Sequence, residues 1–343
     1  MAELDRIRSL IRSKLERWKA RQVELLHDVE KSMEDKREFI KMLKSAPLAV
    51  ETEKANEQHY EVPTAFFETV LGKWRKYSSC LWPEGVNSID AAEESMLSLC
   101  CQRAKLEDGH SVLDLGCGWG SLTFWILEKY PRCRVTCVSN SRTQRDYIES
   151  TARARGFADR LQAITCDARV FTTQKRFDRI ISVEMFEHMR NYRLLLQNVA
   201  SWLKPSGFLF VQILCHRNFP SDYAKGEGDK ADSWLGRNFF SGGIIPSDDL
   251  LLYFQDDVSI ADHWRISGVH YQKTLEAWLA LLDRNRAKVE RIFESAYGRD
   301  EVESHVFNWR LFFASAAESF GFDGGSKYIV SQYLFRKKLA SSL

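Results

Sequence analysis

Three side chains suited to acid–base chemistry stand close together in this 343-residue chain: Glu184, Glu187 and His188. Glu184 and His188 are four residues apart and Glu187 adjoins His188, so at least two of the three would share a face of a helical turn. A carboxylate next to an imidazole can attract a cation and accept a proton from it. The same residues also suit a helix N-terminus, where glutamates are favourable and a histidine caps or packs. The spacing therefore predicts either a proton-accepting pair or a helix start.

A glycine-rich segment at 111–120 is the second feature with chemical content. It begins with a short apolar run that is typical of a buried strand in a parallel sheet. Three glycines follow at every second position: Gly116, Gly118 and Gly120. Glycines there allow a sharp turn and let a ligand approach the main chain closely, and from Ser121 the pattern becomes helical. A strand, a glycine turn and a helix in this order form the start of a nucleotide-binding crossover unit. An ordinary tight turn between a strand and a helix would produce the same pattern.

The spacing of these glycines restricts the class of ligand that the turn could bind. A dinucleotide fingerprint is G-x-G-x-x-G, with the phosphates on the helix N-terminus, whereas this segment has G-x-G-x-G with Asp114 two residues ahead. This form resembles the first motif of class I S-adenosylmethionine (SAM)-dependent methyltransferases. The resemblance implies that Asp114 serves the methionine end of SAM, a cofactor without a pyrophosphate.

Apolar runs that alternate with helical patterns follow the glycine turn, and they must position its ligand. Strands are predicted at 134–138, 161–166, 177–183 and 208–214. This alternation predicts a parallel, doubly wound sheet, with Glu184–His188 directly after the fourth strand. The run 328–335 alternates between two faces and predicts a final strand, antiparallel at the edge of the sheet.

Residues at the ends of the second and third strands are predicted to contact a nucleoside. An acid near the end of the second strand commonly binds the ribose hydroxyls, but residues 139–144 contain none. Asn140 or Gln144 could accept that hydrogen bond, because an amide oxygen is a competent acceptor. Asp167 and Ala168, at the end of the third strand, are placed to meet an adenine amino group.

Helices are predicted before the sheet and within its later part. Residues 1–45 carry apolar residues at helical spacing and predict one or two amphipathic helices, so that 1–56 forms an N-terminal extension and linker. A packed stripe with a solvated face, a dimer contact or a membrane contact would each produce this pattern. Residues 57–343 form the predicted catalytic domain. Its alternation breaks at about 216–300, where inserted helices, predicted at 247–254 and 274–291, would cover the crevice at the strand ends as a lid.

Composition and charge exclude several classes of protein. A 44% apolar content supports a sizeable core and argues against disorder. The 49 basic and 47 acidic residues give a formal charge of +2, which favours neither nucleic acid nor an anionic membrane. None of the eight cysteines forms C-x-x-C, so no metal site is predicted and a reduced, cytoplasmic setting fits. The N-terminus lacks an apolar signal-peptide core, and no run reaches the ~18 apolar residues of a membrane span.

From about residue 60 to 335, the chain resembles the plant coclaurine N-methyltransferases, within the larger group similar to cyclopropane-fatty-acid synthases. The most family-specific run is 251–260, LLYFQDDVSI. The other matching segments are 76–80, 114–120, Asn140-Ser141 with Gln144, 184–188, 239–243, Pro246-Ser247, 253–259, 262–265 and His270-Tyr271. The resemblance implies a class I SAM-dependent methyltransferase fold of the α/β class. Its Rossmann-like, doubly wound, mostly parallel seven-stranded sheet would carry the N-terminal helical extension and a helical lid inserted after strand five.

The same resemblance implies SAM as methyl donor and assigns the site residues. Glu187 and His188 would be the catalytic pair. The cofactor would be surrounded by Tyr77, Ser78, Asp114, Gly116, Gly118, Gly120, Asn140, Gln144, Asp167, Ala168 and Glu184. Aromatic residues would wall the amine pocket and attract an ammonium group through cation–π contacts: Tyr60, Phe240, Tyr271, Trp309 and Phe312.

Methyl transfer to an amine is an in-line displacement at the sulfonium carbon, and it needs a neutral nitrogen lone pair. An alkylammonium has a pKa near the lysine value of about 10, so a carboxylate–imidazole pair can attract the cation and accept its proton. The predicted substrate is a small-molecule amine, a coclaurine-type alkaloid or a related amine. The sequence leaves open which amine is methylated, how many times, and whether the chain forms a homodimer.

The alternative within the resemblance is transfer to a lipid alkene. Cyclopropane synthases use bicarbonate as the base, held partly by a histidine in strand five and a cysteine after the tyrosine of the Tyr-Ser segment. Gln212 and Ser79 align with those positions here, although Glu187 and Tyr271 are retained, and this loss argues against the lipid reaction. A non-catalytic SAM-binding protein conflicts with the intact Glu187-His188 pair, and a nucleic-acid methyltransferase conflicts with the lack of a basic stripe.

Overall fold

A computed structural model describes residues 2–49, 62–222 and 242–338. The strands of this part of the chain are β1 (Ser111–Leu115), β2 (Arg134–Ser139), β3 (Leu161–Thr165), β4 (Phe177–Val183), β5 (Leu203–His216), β6 (Ser221–Asp222), β7 (Ile244–Ile245), β8 (Val258–Ile266) and β9 (Tyr328–Lys337). Seven of them form one sheet in the order β3-β2-β1-β4-β5-β9-β8, and β6 pairs with β7 separately. The first five strands are parallel, whereas β9 runs antiparallel to both β5 and β8.

Helices cover both faces of the sheet. They are α1 (Ala2–His27), α2 (Val29–Ser45), α3 (Thr64–Val70), α4 (Ile89–Arg103), α5 (Ser121–Lys129), α6 (Arg142–Ala154), α7 (Tyr192–Trp202), α8 (Gly268–Arg284), α9 (Arg286–Tyr297) and α10 (Val302–Gly325). Side chains cap several N-termini: Ser88 accepts from Ala91 N–H, and Asn191 accepts from Leu194 N–H. In the described part of the chain, no helix is long and apolar enough to cross a bilayer.

The core has two apolar layers, one on each face of the sheet. Successive strand residues point to opposite faces, so Val112 of β1 packs into the layer beneath α3–α6 and α8–α10, whereas Leu113 packs into the layer beneath α2 and α7. Both residues are fully buried. A strand buried on both faces needs a continuous apolar run, which is why β1 was readable from sequence.

The N-terminal helices pack on the sheet domain instead of extending away from it. Arg8 donates to Glu276 of α8 at 2.9 Å through Nη2 and to Glu318 of α10 at 3.0 Å through Nη1. Trp18 of α1 stacks on Tyr328 at the start of β9, with ring centroids 5.8 Å apart. The predicted helical extension is therefore present and docked. The predicted boundary at residues 56 and 57 lies outside the described residues.

The segment after β5 differs from the sequence-based prediction. It was expected to hold helices over about 216–300, but it also contributes β8, which pairs with β9 along the sheet edge. The predicted final strand is antiparallel as expected, yet it lies inside the sheet because β8 covers its outer side. The predicted helix 247–254 is only a 3₁₀ turn at Leu250–Tyr253. The predicted helix 274–291 is two helices, α8 and α9, which meet at Asn285.

Candidate active site

The three glycines after β1 all adopt left-handed backbone conformations, with φ of 83° at Gly116, 53° at Gly118 and 76° at Gly120. L side chains are strained at such angles. A Cβ on Gly116 would lie 2.6 Å from Met185 Cγ, whereas a Cβ on Gly118 would meet no atom of the described residues within 4 Å. The Gly116 N–H donates to Val138 O at 3.0 Å, which ties the turn to β2. The open side at Gly118 allows a ligand to reach the main chain.

Asp114 is buried just before this turn, with 2% of its surface exposed. Its Oδ2 accepts a hydrogen bond from Thr123 Oγ1 at 2.7 Å, which joins the end of β1 to the first turn of α5. Burial raises the pKa of Asp114 to about 6, against the opposing effect of the Thr123 hydrogen bond. The carboxyl group thus supports the turn, and its contact with the methionine end of SAM stays a prediction.

The residues predicted to contact the nucleoside, at the ends of β2 and β3, differ in their burial and in the hydrogen bonds that they already make. Gln144 is buried, and its Oε1 accepts from Ser139 Oγ at 2.6 Å, whereas Asn140 is half-buried. Asn140 is therefore the better placed acceptor for the ribose hydroxyls. Asp167 accepts from Arg169 N–H at 2.8 Å and from Arg169 Nε at 2.9 Å, so an adenine amino group would share that carboxylate. Ala168 beside it is half-buried.

Glu184, immediately after β4, is the most connected carboxylate of the site. Its φ of 51° is unusual for a residue other than glycine, and such strain clusters at functional sites. Its Oε1 accepts from Ser79 N–H at 3.0 Å and from Gln212 Nε2 at 2.9 Å. Its Oε2 accepts from Tyr271 Oη at 2.8 Å. The donors come from the Tyr-Ser segment, β5 and α8, so Glu184 joins three separate parts of the chain, and its cofactor contact stays a prediction.

Glu187 and His188 lie in a 3₁₀ turn, Phe186–His188. Glu187 is buried, and its Oε1 accepts from Leu214 N–H at 2.6 Å. Its Oε2 has no hydrogen-bond partner among the described residues. Burial, together with the charge of Glu184, raises the pKa of Glu187 well above its ordinary value. A buried carboxyl oxygen without a partner is costly, so it indicates a place where a polar or cationic ligand binds. His188 is half-buried beside it.

Two buried side chains anchor the Tyr-Ser segment through hydrogen bonds. Lys76 is 1% exposed, and its Nζ donates to Ser78 Oγ at 2.5 Å and to Ser79 O at 2.6 Å. Glu93 of α4 accepts from the backbone N–H groups of Trp74 at 2.7 Å and Lys76 at 3.1 Å. These bonds fix the main chain around Ser78, a predicted cofactor contact. The Tyr77 ring packs 5.5 Å from the Trp278 ring, between centroids.

The structure brings three of the five predicted aromatic residues into the neighbourhood of this segment. Trp309 is 3% exposed and lies 6.5 Å from the Tyr77 ring. Phe312 packs 5.9 Å from Trp309 and stays half-buried. Tyr271 turns its hydroxyl to Glu184, as given above, and is the member with a direct link to a site carboxylate. Tyr60 and Phe240 lie outside the described residues.

The sequence analysis did not identify the buried residues that hold the site's side chains and backbone in place by hydrogen bonds. Glu93 and Gln332 belong to this group: Glu93 anchors the Tyr-Ser segment, and Gln332 donates to Gln212 at 2.7 Å. Both are fully buried. A signal existed for Gln332, because a glutamine in the otherwise apolar interior of a predicted strand needs a partner. No comparable signal marked Glu93, which reads as an ordinary helix residue.

The fold and the site define a class of protein. A seven-stranded sheet whose first five strands are parallel carries a glycine turn after β1 and an acidic stretch after β4. Ligands of such sheets bind at the carboxyl ends of the strands, at the point where the strand order reverses, and here β1 and β4 flank that point. This is the fold of a class I SAM-dependent methyltransferase. No group of three His, Cys, Asp or Glu side chains in the described residues could hold a metal ion.

Comparison with known proteins gives the family. The mycolic acid cyclopropane synthetase family model matches residues 49–324. (S)-Coclaurine N-methyltransferase from Thalictrum flavum subsp. glaucum is 40% identical over 300 residues, which cover 86% of this chain and 82% of the relative. (S)-Tetrahydroprotoberberine N-methyltransferase from Eschscholzia californica is 37% identical and covers 90% of this chain and 88% of its own length. The chain therefore belongs to the coclaurine N-methyltransferase group of the mycolic acid cyclopropane synthetase family.

Solved structures agree with this assignment. A crystal structure of coclaurine N-methyltransferase bound to N-methylheliamine and S-adenosylhomocysteine (SAH) matches with a TM-score of 0.91 and 37% identity, over 97% of this chain and 95% of the other. A cyclopropane synthase from Mycobacterium tuberculosis matches with a TM-score of 0.70 at 17% identity, over 85% of this chain and 100% of the other, and shares the fold. The chain is a SAM-dependent N-methyltransferase, and the predicted fold, cofactor and enzyme class are confirmed.

Proposed function

We propose that this chain transfers a methyl group from SAM to the nitrogen of a coclaurine-type alkaloid or a related small-molecule amine, and that Glu187 and His188 orient and deprotonate that amine. The observation that carries the proposal is the buried Glu187 carboxyl group, one oxygen of which has no partner among the described residues. Relatives named for coclaurine and tetrahydroprotoberberine support the substrate class.

The acid–base step follows from the surroundings of Glu187. An alkylammonium has a pKa of about 10, so the amine arrives as a cation and must lose a proton before its lone pair can react. Burial raises the pKa of Glu187, which makes its carboxylate a stronger base, and the cation offsets the cost of burying the charge. The proton passes from the nitrogen to the Glu187–His188 pair. Bound SAM then supplies the methyl group, as the N–C bond forms, the C–S bond breaks and SAH leaves.

The residues proposed to hold the cofactor surround the glycine turn. The open space at Gly118 accommodates a ligand against the main chain, and Asn140 offers an amide oxygen for the ribose. Ser78 is fixed by Lys76 at the adjoining segment. The full set proposed for SAM is Tyr77, Ser78, Asp114, Gly116, Gly118, Gly120, Asn140, Gln144, Asp167, Ala168 and Glu184.

Aromatic side chains are proposed to wall the amine. Trp309 and Phe312 contribute ring faces near Tyr77, and an ammonium is attracted to such faces. Tyr271 adds a ring and a hydroxyl bonded to Glu184. Tyr60 and Phe240 are included among these aromatic residues only because the sequence resembles the family at their positions.

The lipid-alkene alternative is weakened by the contacts of Glu184. The Ser79 N–H and the Gln212 side-chain amide align with the positions that hold bicarbonate in the synthases, and here both donate to the Glu184 carboxylate. Donors already satisfied by a side chain are not free for an added anion. This arrangement suits a binding site for a cation better than one for bicarbonate.

Two copies of this chain are also proposed to form a homodimer through the N-terminal helices. Apolar side chains cluster where α1 meets α2, and Val23, Leu26, Val29 and Met33 are all exposed there. Exposed apolar clusters commonly mark protein contacts. Light scattering tests this point: a mass of one chain at micromolar concentration contradicts it.

The experiment that tests the function uses methyl-labelled SAM with primary, secondary and tertiary amines and an unsaturated phospholipid. Label on an amine, with the benzylisoquinoline type labelled fastest, supports the proposal. Label on the phospholipid alone overturns it. The number of labels per amine also gives the number of methylations.

A further inference from the structure

Four polar side chains form a continuous hydrogen-bonded line through the sheet, from Arg103 to Glu184. Arg103 Nη1 donates to Gln332 Oε1 at 2.6 Å. Gln332 Nε2 donates to Gln212 Oε1 at 2.7 Å, and Gln212 Nε2 donates to Glu184 Oε1 at 2.9 Å. We call this set of Arg103, Gln332, Gln212 and Glu184 the glutamine relay.

The direction of the relay is fixed by its two ends. A guanidinium can only donate, so Gln332 must turn its carbonyl oxygen towards Arg103. The amide of Gln332 then has only N–H groups left for Gln212, and Gln212 in turn has only N–H groups left for Glu184. Amide orientations are ordinarily inferred from their surroundings. Here they follow from the arginine, which can only donate, at one end and from the Glu184 carboxylate, which can only accept, at the other.

The sheet register holds the two glutamines in contact. Gln212 of β5 and Gln332 of β9 are cross-strand partners, and both are fully buried. Buried amides are restricted to the few partners that the fold supplies. Arg103, at the end of α4, is half-buried with its guanidinium carbon 4.9 Å from the centre of the Trp264 ring of β8. The relay therefore starts at the end of α4, against the outer strand β8, and ends at Glu184.

We propose that Arg103 is a positioning residue, which orients the Glu184 carboxylate through Gln332 and Gln212 and so sets the geometry of the amine site. The inference rests on the proposed function, because it takes Glu184, proposed there as a cofactor contact, to border the amine as well, beside Glu187. Without the guanidinium, the carbonyl oxygen of Gln332 loses its donor, so the Gln332 side chain is held less firmly. Gln212 is then held less firmly as well, and the bond from its Nε2 to Glu184, one of three to that carboxylate, is displaced.

The test compares four single variants and one double variant with the wild-type enzyme, on an amine that the wild type methylates. Arg103→Met keeps a chain that packs on Trp264 and removes the donors, Arg103→Lys restores a donor, and Gln332→Leu breaks the relay in its middle. Arg179→Met is the matched control: Arg179 is also buried against an aromatic ring, 5.1 Å from the centre of Phe208, but it donates to Lys105 O.

We expect kcat to fall on the order of tenfold in Arg103→Met, because displacing a positioning group moves the reacting atoms out of their productive geometry. Arg103→Lys recovers most of the rate. The double variant Arg103→Met/Gln332→Leu loses no more than either single variant, because both break one line of contacts. Equal losses in Arg103→Met and Arg179→Met, or additive losses in the double variant, would overturn the proposal.

A spectroscopic readout separates this proposal from the proposed function. In protein labelled with ¹⁵N-glutamine, the buried Gln212 and Gln332 side chains give slowly exchanging amide signals. We expect these signals to shift and to exchange faster in Arg103→Met and to stay in place in Arg179→Met. If no amine is methylated by the wild type, the proposed function fails while this spectrum still decides on the relay, and unchanged signals in Arg103→Met reject it.

Discussion

A buried glutamate with one unsatisfied oxygen is stable as an anion only when a positive charge comes to it. Glu187 is in this situation: it is 1% exposed, the backbone N–H of Leu214 donates to its Oε1, and its Oε2 has no partner among the described residues. Burial and the nearby Glu184 raise its pKa, so it takes up protons more readily than an exposed glutamate. At the scale of the residue, this is the property that a base for an ammonium substrate needs.

The first prediction is for Glu187→Gln. The amide cannot accept the proton, so we expect turnover to fall by ~10²-fold or more, while SAM affinity in calorimetry stays close to that of the wild type. His188→Ala is expected to behave in the same way. Glu301→Gln, at an exposed position far along the chain, serves as the control. A large loss of SAM affinity would instead assign Glu187 and His188 to the cofactor.

The second prediction is for Gly118→Ala. An added Cβ meets no described atom within 4 Å, so it does not collide with the protein, but it occupies the space proposed for SAM. We expect SAM binding to weaken by at least tenfold and the free energy of unfolding to fall by about 1–2 kcal/mol from backbone strain. Gly156→Ala is the matched control, because Gly156 has φ of 72° and similar open space. Equal SAM affinity in the two variants would contradict the cofactor placement.

At the scale of elements, α1 is attached to the end of β5 through a buried histidine. His216 Nδ1 accepts from the backbone N–H groups of Asn218 at 3.1 Å and Phe219 at 2.9 Å. The opposite ring nitrogen lies 3.1 Å from the side-chain amide of Gln22 on α1. Protonation of Nδ1 would break both backbone bonds. Burial, with a smaller contribution from the charge of Lys327, lowers the pKa of His216 to about 3.

The third prediction is that His216 makes the protein sensitive to acid. In the unfolded chain a histidine binds a proton below pH 6.5, whereas folded His216 does so only near pH 3. The unfolded state therefore binds more protons between these values, and stability falls as the pH is lowered through this window, by up to about 1.4 kcal/mol per pH unit. Urea unfolding at pH 7, 6 and 5 measures this slope.

His216→Gln should flatten that slope, although it lowers stability at pH 7. His27→Gln changes an exposed histidine at the end of α1 and should keep the wild-type slope. Parallel pH curves for the wild type and His216→Gln would show that another group causes the acid sensitivity.

At the scale of the molecule, Asp248 joins the chain after β5 to the antiparallel half of the sheet. It is 1% exposed, and its Oδ1 accepts from His263 Nε2 at 3.1 Å while its Oδ2 accepts from Arg265 Nε at 2.7 Å. Ser331 Oγ also donates to it, from β9. Burial opposes ionisation of Asp248, but the hydrogen bonds from His263, Arg265 and Ser331 outweigh it and lower its pKa. One carboxylate thus fixes β8 and β9 to the segment that leads out of β5.

The fourth prediction is that Asp248→Asn destabilises the whole fold. Losing charged hydrogen bonds to a buried acceptor costs about 2 kcal/mol, and we expect that loss in the free energy of unfolding from urea titration. Asp300→Asn, at an exposed position, should have no measurable effect. Because a carboxyl with a lowered pKa stabilises the fold only while it is ionised, the difference between Asp248→Asn and wild type should shrink as the pH falls below about 4.

The sequence by itself determined the parallel half of the fold and the position of the proposed catalytic pair in it. Continuous apolar runs such as β1 and β4 are buried on both faces, so their residue types carry the prediction without help from neighbours. The glycines at 116, 118 and 120 adopt positive φ, which is a local property of glycine and of this turn. The position of Glu187 and His188 directly after β4 follows from the strand prediction alone.

Only the tertiary structure decided the antiparallel half and the contacts among the carboxylates. The strand β8 has half-exposed residues along most of its length and no continuous apolar run. Its formation therefore depends on its pairing with β9, in which the partners Trp264 and Gln332 are 68 residues apart in the chain. The three donors to Glu184 come from residues 79, 212 and 271. Hydrogen bonds between such distant positions leave no periodic signal in a sequence, because they arise from the packing of whole elements and not from local preference.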